Sequence, residues 1–416
     1  MSEPPLPRRS PRDPVVTGMG LLSQVGTGTA EHREVLKSGT QVPFSVYEPG
    51  VECQTGCQLV GAYRDALDPQ DLGLDRSEAR FMGRMSLLAV RAAQIALEQS
   101  GLPTRDLAVV VGTGTGEIET HREVVRRVQR GGRVRVLPTT IPRIMASTVS
   151  ANLATVLKTR GPSLSVTAAC AGGGYNLAIA AAWIREGIVD HALAGGVEAE
   201  DVHFHLGFDS MRAYTRLDNH RPEWASRPYA ADRAGFIFGE GAGILALESR
   251  ESAERRGAEI LGSIRGFGMS SDGSGEMVAP ASEGAELAIR RALQHSGVPR
   301  EAIGYINTHG TSTPLGDVSE VRAIRRVFED SPVPYGSTKG YTGHTVSAAG
   351  ALEAAFTFLM LREGWLSPSV NAEPLDPELT DYPPVLRPTG TDAEWALSNS
   401  FGFGGTNISL VLRREG

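Results

Sequence analysis

Ser163-Leu-Ser-Val-Thr-Ala-Ala-Cys-Ala-Gly-Gly-Gly-Tyr175 leads from an extended, hydroxyl-rich segment through Cys170 into an alanine-rich run from Asn176 to Trp183. The pattern reads as strand, tight turn, helix. A cysteine at such a turn faces the free N–H groups and partial positive charge of a helix start, which lower a thiol's pKa and make it a nucleophile. Free cysteine also serves as a small buried hydrophobe, so this stretch alone sets a fold element and leaves its chemistry to the rest of the chain.

Working outward, the chain compares well with itself. Ala96-Leu-Glu-Gln-Ser-Gly-Leu-Pro103 returns 196 residues later as Ala292-Leu-Gln-His-Ser-Gly-Val-Pro299, and at the same spacing Gly112-Thr-Gly-Thr115 lies over Thr308-His-Gly-Thr311. Each copy reads as an amphipathic helix, a Ser-Gly stop and a strand ending in a glycine/threonine loop. The opening strand, Pro14 to Ser23, has a partner in Ile264-Arg-Gly-Phe-Gly-Met-Ser270. The Cys170 helix ends in Ile184-Arg-Glu-Gly187, while Gly343-His-Thr-Val-Ser-Ala-Ala-Gly350 opens a helix ending in Leu361-Arg-Glu-Gly364. One half puts a cysteine at this turn and the other a histidine. Two similar halves are expected, 13–260 and 261–416, after a disordered tail over 1–12. Strands alternating with helices make each half a layered α/β unit. Each closes with a glycine-rich, hairpin-like segment, Ala234 to Gly243 and Ser398 to Asn407.

Composition narrows the class. The 416 residues, 41% hydrophobic and 21% charged, suffice for a large core, and 49 glycines point to tight turns and close backbone approaches. A net charge of −7 argues against general nucleic-acid binding. The local exception holds Arg122, Arg126, Arg127, Arg130, Arg133 and Arg135 with one acid, Glu123; it reads as a solvated helix face or a seat for an acidic partner. Three cysteines, an odd number, suit a reducing compartment, with Cys53 and Cys57 structural. No stretch reaches the ~18 apolar residues of a membrane span, and the N-terminus lacks a leader's apolar core, so a cytoplasmic protein is expected. Gly18-x-Gly20 lacks the third glycine of a dinucleotide fingerprint. His203 and His205 read as one face of a packed segment, with no third ligand for a metal.

Four loops remain: Cys170, Asn307 to Pro314, Ser337 to His344, and Phe401 to Gly405. In this order and context the chain resembles a β-ketoacyl-[acyl-carrier-protein] synthase of the thiolase-like superfamily, from Val15 to Leu412. Arg80-Phe-Met82, Met145-Ala-Ser147, Met277-Val-Ala-Pro280 and Gly310 to Val318 are most similar to the class I elongating branch. The resemblance implies a thiolase-like α/β fold: two pseudo-symmetric βαβαβαββ halves in five αβαβα layers. It also implies a decarboxylative Claisen condensation, in which Cys170 takes an acyl group from a carrier protein and malonyl-carrier protein extends it by two carbons.

By the same resemblance, Cys170 and Phe403 supply oxyanion-hole N–H groups, with Gly404 and Gly405 beside the substrate. His309 and His344 polarise the malonyl thioester, and Lys339 with Glu353 forms a supporting ion pair that could also favour the thiolate. Thr311 and Thr313 bind the phosphopantetheine arm, which arrives on the substrate, so no cofactor or metal is implied. Arg76, Arg80, Arg133 and Arg143 are expected to meet the acidic acyl carrier protein, since Ser77 stands where a basic residue would help. The family implies a dimer, of identical or related subunits, and no nucleic-acid or membrane partner. Gly172 to Gly174 and Gly340-Tyr341 depart from the family pattern and suggest an altered pocket. A thiolase proper would need a second, later cysteine, and none follows Cys170. A non-condensing chain-length-factor subunit would typically lack the cysteine.

Overall fold

Glycine decides how the opening strand is covered. A Cβ on Gly18 or Gly20 would lie about 2 Å from the carbonyl oxygens of Ala96 and Ala92, so a helix rests directly on this strand's backbone. The glycine pair is a packing device, not a nucleotide turn. The second half repeats it, with Gly266 against Ser296 and Gly268 against Ala288 and Ala292.

The computed structural model describes residues 6–273, 275–278, 282–329 and 331–415. The main strands are β1 (Pro14–Ser23), β2 (Ala108–Gly112), β3 (Ser163–Leu164), β4 (His191–Glu198), β5 (Gly241–Ser249), β6 (Gly262–Ser271), β7 (Ile303–Asn307), β8 (Tyr335–Gly336), β9 (Trp395–Gly402) and β10 (Thr406–Arg413). The helices that pack on them include α1 (Arg84–Ser100), α2 (Gly172–Arg185), α3 (Ser282–Ser296), α4 (Pro314–Phe328) and α5 (Ala349–Glu363).

Strand order is β3-β2-β4-β5-β1 in the first half and, running on across the seam, β6-β10-β9-β7-β8 in the second. Counted within each half, both orders are third, second, fourth, fifth, first. The senses agree too: the first three strands of that order pair parallel, and the fourth, fifth and first pair antiparallel. The sheets meet where Val15 and Val16 of β1 pair with Ser263 and Gly262 of β6.

Side-chain alternation turns these sheets into five layers. Ala108, Val110, Leu245 and Leu247 from one sheet and Ala396, Ile408 and Leu410 from the other enclose α2 and α5 in a central core. The alternate residues Val109, Val111, Ile244 and Ala246 face α1 on one outer side. Leu397 and Val411 face α3 and α4 on the other. Being covered all round, α5 buries every residue from Ala349 to Leu361, so its sequence shows no polar stripe.

Two expectations change here. The closing segment of the second half is the β9–β10 hairpin, whereas Ala234 to Gly243 forms none; Phe236 to Gly239 runs beside His344 before β5 begins. Residues 1–5 of the expected disordered tail lie outside the described residues, and the rest is tied down. Arg12 donates to the carbonyls of Ile184 and Val189, both at 2.8 Å. Asp13 pairs with Arg265 and lies 3.8 Å from Arg250, while Glu415 joins Arg250 at 2.5 Å and Arg9 at 3.0 Å. Proline and arginine read as disorder in isolation, but here the buried Glu415 holds Arg9 and backbone carbonyls hold Arg12. Glu415→Gln should cost about 1–3 kcal/mol, the worth of a hydrogen bond to a charged group, seen as a lower urea midpoint at unchanged slope.

Candidate active site

Cys170 stands just ahead of α2, whose N-cap is Ala171. Ala169 takes φ +45°, a cost for a residue with a Cβ, and this turns the cysteine out of the chain path. Two other loops of the site hold the same kind of backbone: Ser312 at φ +74° and Val346 at φ +44°.

Three side chains from both halves converge. The Cys170 sulfur and one nitrogen each of His309 and His344 all lie within 4.8 Å of one another. His309 follows β7. Its N–H and that of Gly310 donate to Glu320 at 2.9 Å each, and Asn399 donates to the same carboxylate at 3.0 Å. His344 is gripped by the first half, donating its N–H to the Ile237 carbonyl at 2.8 Å and accepting from Gly239 at 3.0 Å. The two imidazoles meet edge to face with centroids 5.2 Å apart, and Phe236 closes on the far side of His344.

Lys339 and Glu353 form a fully buried ion pair. Phe403, about one-third exposed, heads the β9–β10 turn. Its N–H and that of Cys170 both act to draw the Cys170 thiol's pKa down. The turn comes this close because a Cβ on Gly402 would stand 3.0 Å from the Ala168 carbonyl oxygen. Gly404 and Gly405 follow at φ +80° and +71°. Thr311 and Thr313 face each other, hydroxyl to hydroxyl, at 3.1 Å. Ala279 and Pro280 of the Met277 motif lie outside the described residues, but the Met277 carbonyl accepts from Gly404 at 2.7 Å.

Electrostatics correct the helix-start argument. Burial pushes the Cys170 thiol up to about 12; Lys339 and the two N–H groups pull it down without prevailing, and Glu198 pushes it further up. The helix begins two residues past the sulfur, and desolvation outweighs its field. Both histidines are held well below their usual range by burial, with Lys339 adding to the effect. The resting site is therefore a neutral thiol beside two neutral imidazoles.

The altered-pocket expectation also moves. A Cβ on Gly172 or Gly173 would come 2.5 Å from Ser347, and one on Gly174 would stand 2.8 Å from Ile408. These glycines let α2 meet the His344 loop and the second sheet. Tyr341 points into the central core, its hydroxyl donating to the Pro368 carbonyl at 2.9 Å. Arg76 and Arg80 are exposed at the short helix Arg76–Ala79, and Arg133 is exposed beyond the helix Ile118–Gln129. Arg143 is half-buried with its charge acting on Glu117.

Sequence reasoning missed Glu198 and Glu320. Glu198 ends β4 fully buried, accepting from the Thr113 and Thr115 hydroxyls at 3.0 and 2.9 Å and from the N–H groups of Gly114 and Ser347 at 2.8 and 3.3 Å. It ties the first half's loop to the strained turn after His344. An acid ending the otherwise apolar run Ala192 to Val197 was the available signal. Burial raises its pKa from 4.5 to about 7. The charged form is thus disfavoured on folding, so this residue's stabilising contribution is complete below pH ~4.5 and is lost as pH rises through 7. Glu198→Gln should remove roughly 3 kcal/mol of that pH dependence. Thermal melts of both proteins between pH 4.5 and 8 should show the smaller decline with rising pH in the variant.

Comparison with known proteins agrees with the geometry. Residues 12–253 match the family model of the beta-ketoacyl synthase N-terminal domain and 261–373 that of its C-terminal domain. The 3-oxoacyl-[acyl-carrier-protein] synthase 1 of Haemophilus influenzae is 38% identical over 97% of this chain and 99% of its own. A beta-ketoacyl synthase structure from Burkholderia phymatum superposes with a TM-score of 0.92 at 32% identity, covering 97% of this chain and all of that one. A type II polyketide ketosynthase solved in complex with its acyl-carrier protein superposes at 0.86 with 25% identity, covering 98% of this chain and all of that one. With both family models matched in order, a thiolase-like architecture and a cysteine facing two histidines across the halves, the chain belongs to the β-ketoacyl synthase family.

Proposed function

We propose that this protein is a 3-oxoacyl-[acyl-carrier-protein] synthase that joins an acyl group on Cys170 to two carbons from malonyl-carrier protein. The observation that carries the reading is the approach of Cys170, His309 and His344 to within 4.8 Å.

In the first step the Cys170 sulfur attacks the carbonyl carbon of an acyl thioester. The oxyanion is met by the N–H groups of Cys170 and Phe403, and the pantetheine sulfur departs. The proton leaving Cys170 ends on that sulfur, so a thiol with a raised pKa needs no standing thiolate: proton release and bond formation are coupled through the adjacent imidazoles. In the second step the malonyl group loses CO2. The electron pair of the broken C–C bond forms an enolate, whose oxygen takes hydrogen bonds from neutral His309 and His344. The enolate carbon attacks the acyl-cysteine, the new C–C bond forms, and the C–S bond breaks to release Cys170 as a thiolate, which takes a proton from solvent to restore the resting thiol. Burial, with Lys339 adding to it, disfavours the imidazolium form of both histidines, as the donor role requires.

The reading extends to the surroundings. Thr311 and Thr313 hold the phosphopantetheine arm, which arrives on the substrate, so the enzyme needs no cofactor of its own. Its partner is an acyl carrier protein, met by the exposed arginines. Arg76→Glu/Arg80→Glu should raise KM for acyl-carrier protein about tenfold or more at low salt while leaving kcat and the use of small acyl-pantetheine thioesters unchanged; steady-state kinetics with both substrates reads this. A homodimer is supported by the open β3 edge and by Ile118–Gln129, a helix with no buried residue that exposes Val125 and Val128. Three free cysteines suit a cytoplasmic enzyme. The deciding experiment incubates the purified protein with a panel of acyl-carrier proteins plus malonyl-carrier protein. Products two carbons longer support the reading, and none across the panel overturns it. A non-condensing partner subunit would not require the intact, converging cysteine and histidines.

A further inference from the structure

The Cys170, His309 and His344 donors also form a set whose composition suits a metal. We propose that they bind a thiophilic divalent cation, zinc above all, and that zinc seated there reversibly inhibits condensation; the inhibitory half rests on the proposed function, the binding half on geometry.

Tetrahedral zinc holds sulfur at ~2.3 Å and nitrogen at ~2.0–2.1 Å, so its ligands stand about 3.5 Å apart. Donors already within 4.8 Å of one another need contract by about 1 Å. Each histidine also buries an Nδ1 with no hydrogen-bond partner among the described residues. Buried carboxyls stand close by, Glu320 accepting from the His309 N–H and Glu198 from that of Ser347, and the Lys339 ammonium is already paired with Glu353. One sulfur and two imidazoles favour zinc and its softer relatives over magnesium or calcium, which take oxygen ligands. On binding, a Zn–S bond replaces the S–H bond and the proton passes to solvent; two Zn–N bonds form without proton loss. The sulfur lone pair is then unavailable to a thioester, and an acylated Cys170 has no thiolate to offer.

The test uses the full chain after chelator treatment. Zinc is titrated against a chromophoric chelator, and cobalt(II) serves as a spectroscopic stand-in. We expect one equivalent bound, a sulfur-to-cobalt charge-transfer band, and protection of Cys170 from iodoacetamide that EDTA reverses. Cys170→Ser should lose the band and about tenfold to a hundredfold in affinity. His203→Ala, altering the exposed histidine that pairs with Asp201, should bind as the parent does. Zinc binding unchanged in Cys170→Ser, or alkylation undiminished by zinc, overturns the site. Zinc bound with these signatures while condensation proceeds at full rate overturns the inhibitory half and Cys170's assigned role together, leaving the site standing.

Discussion

Cys170→Ala should form no acyl-enzyme and should condense at least ~10³-fold more slowly than the parent, since removing the nucleophile of a covalent mechanism removes its intermediate. The fold should persist: the side chain is small, and the backbone turn is set by Ala169, Ala171 and the Gly402 approach. The two half-reactions should separate in this variant. The histidines proposed to meet the enolate are held by Glu320 on one side and by the Ile237 and Gly239 backbone on the other, and none of these contacts involves Cys170. Malonyl-carrier protein should therefore still lose CO2. Intact-protein mass after incubation with acyl-carrier protein reads the first effect, and CO2 release with carrier-protein mass reads the second. Condensation by Cys170→Ala at the parent rate would refute the assignment.

Lys339→Ala should cost about 3–5 kcal/mol of stability, because it strands a buried carboxyl whose partner supplied its compensation. Glu353 already has one oxygen without a hydrogen-bond partner among the described residues, and burial lifts it to about 7 even with Lys339 present. Lys339→Met/Glu353→Leu should recover most of that stability, since two apolar groups of similar volume leave no charge behind. Activity should not return with it. Lys339 also holds the imidazoles down and draws the Cys170 thiol down, so in both variants the imidazole and thiol pKa values rise. The acid limb of the pH–rate profile should shift upward, with kcat falling more than KM changes. Urea unfolding and a pH series of steady-state rates distinguish the two effects; a double variant with parental rates at all pH values would show the ion pair to be merely structural.

The features legible in the sequence were those written locally. Cys170, His309 and His344 each sit in a glycine-rich loop after a strand, and the duplication is visible because the outer helices must pack on their strands in the same way, with Ala96 and Ala292 at equivalent places. Features spanning the two halves were not legible. Glu198 is satisfied partly by Ser347, 149 residues away, and Glu320 lies on the apolar face of α4 among Val318, Val321 and Ile324, so neither belongs to a contiguous pattern. The thiol's pKa was misjudged because a helix start shows in sequence while desolvation, the larger effect, depends on what the second half places over the sulfur. The N-terminal clasp was misread because its partners, the Ile184 and Val189 carbonyls, Arg265 and Glu415, are supplied from elsewhere in the fold.

The close approach of Gly172 and Gly173 to Ser347 sets a gauge for the whole enzyme. Spacing between Cys170 and His344 is fixed here by glycine main chain resting on Ser347, Gly172 against its hydroxyl and Gly173 against its carbonyl. Residues that shape the acyl chamber can then be exchanged without altering the distance over which bonds are made and broken. A lineage built this way is free to drift in chain length and saturation while its chemistry stays constant, and substitutions that enlarge these glycines should be the ones that selection rejects whatever the substrate.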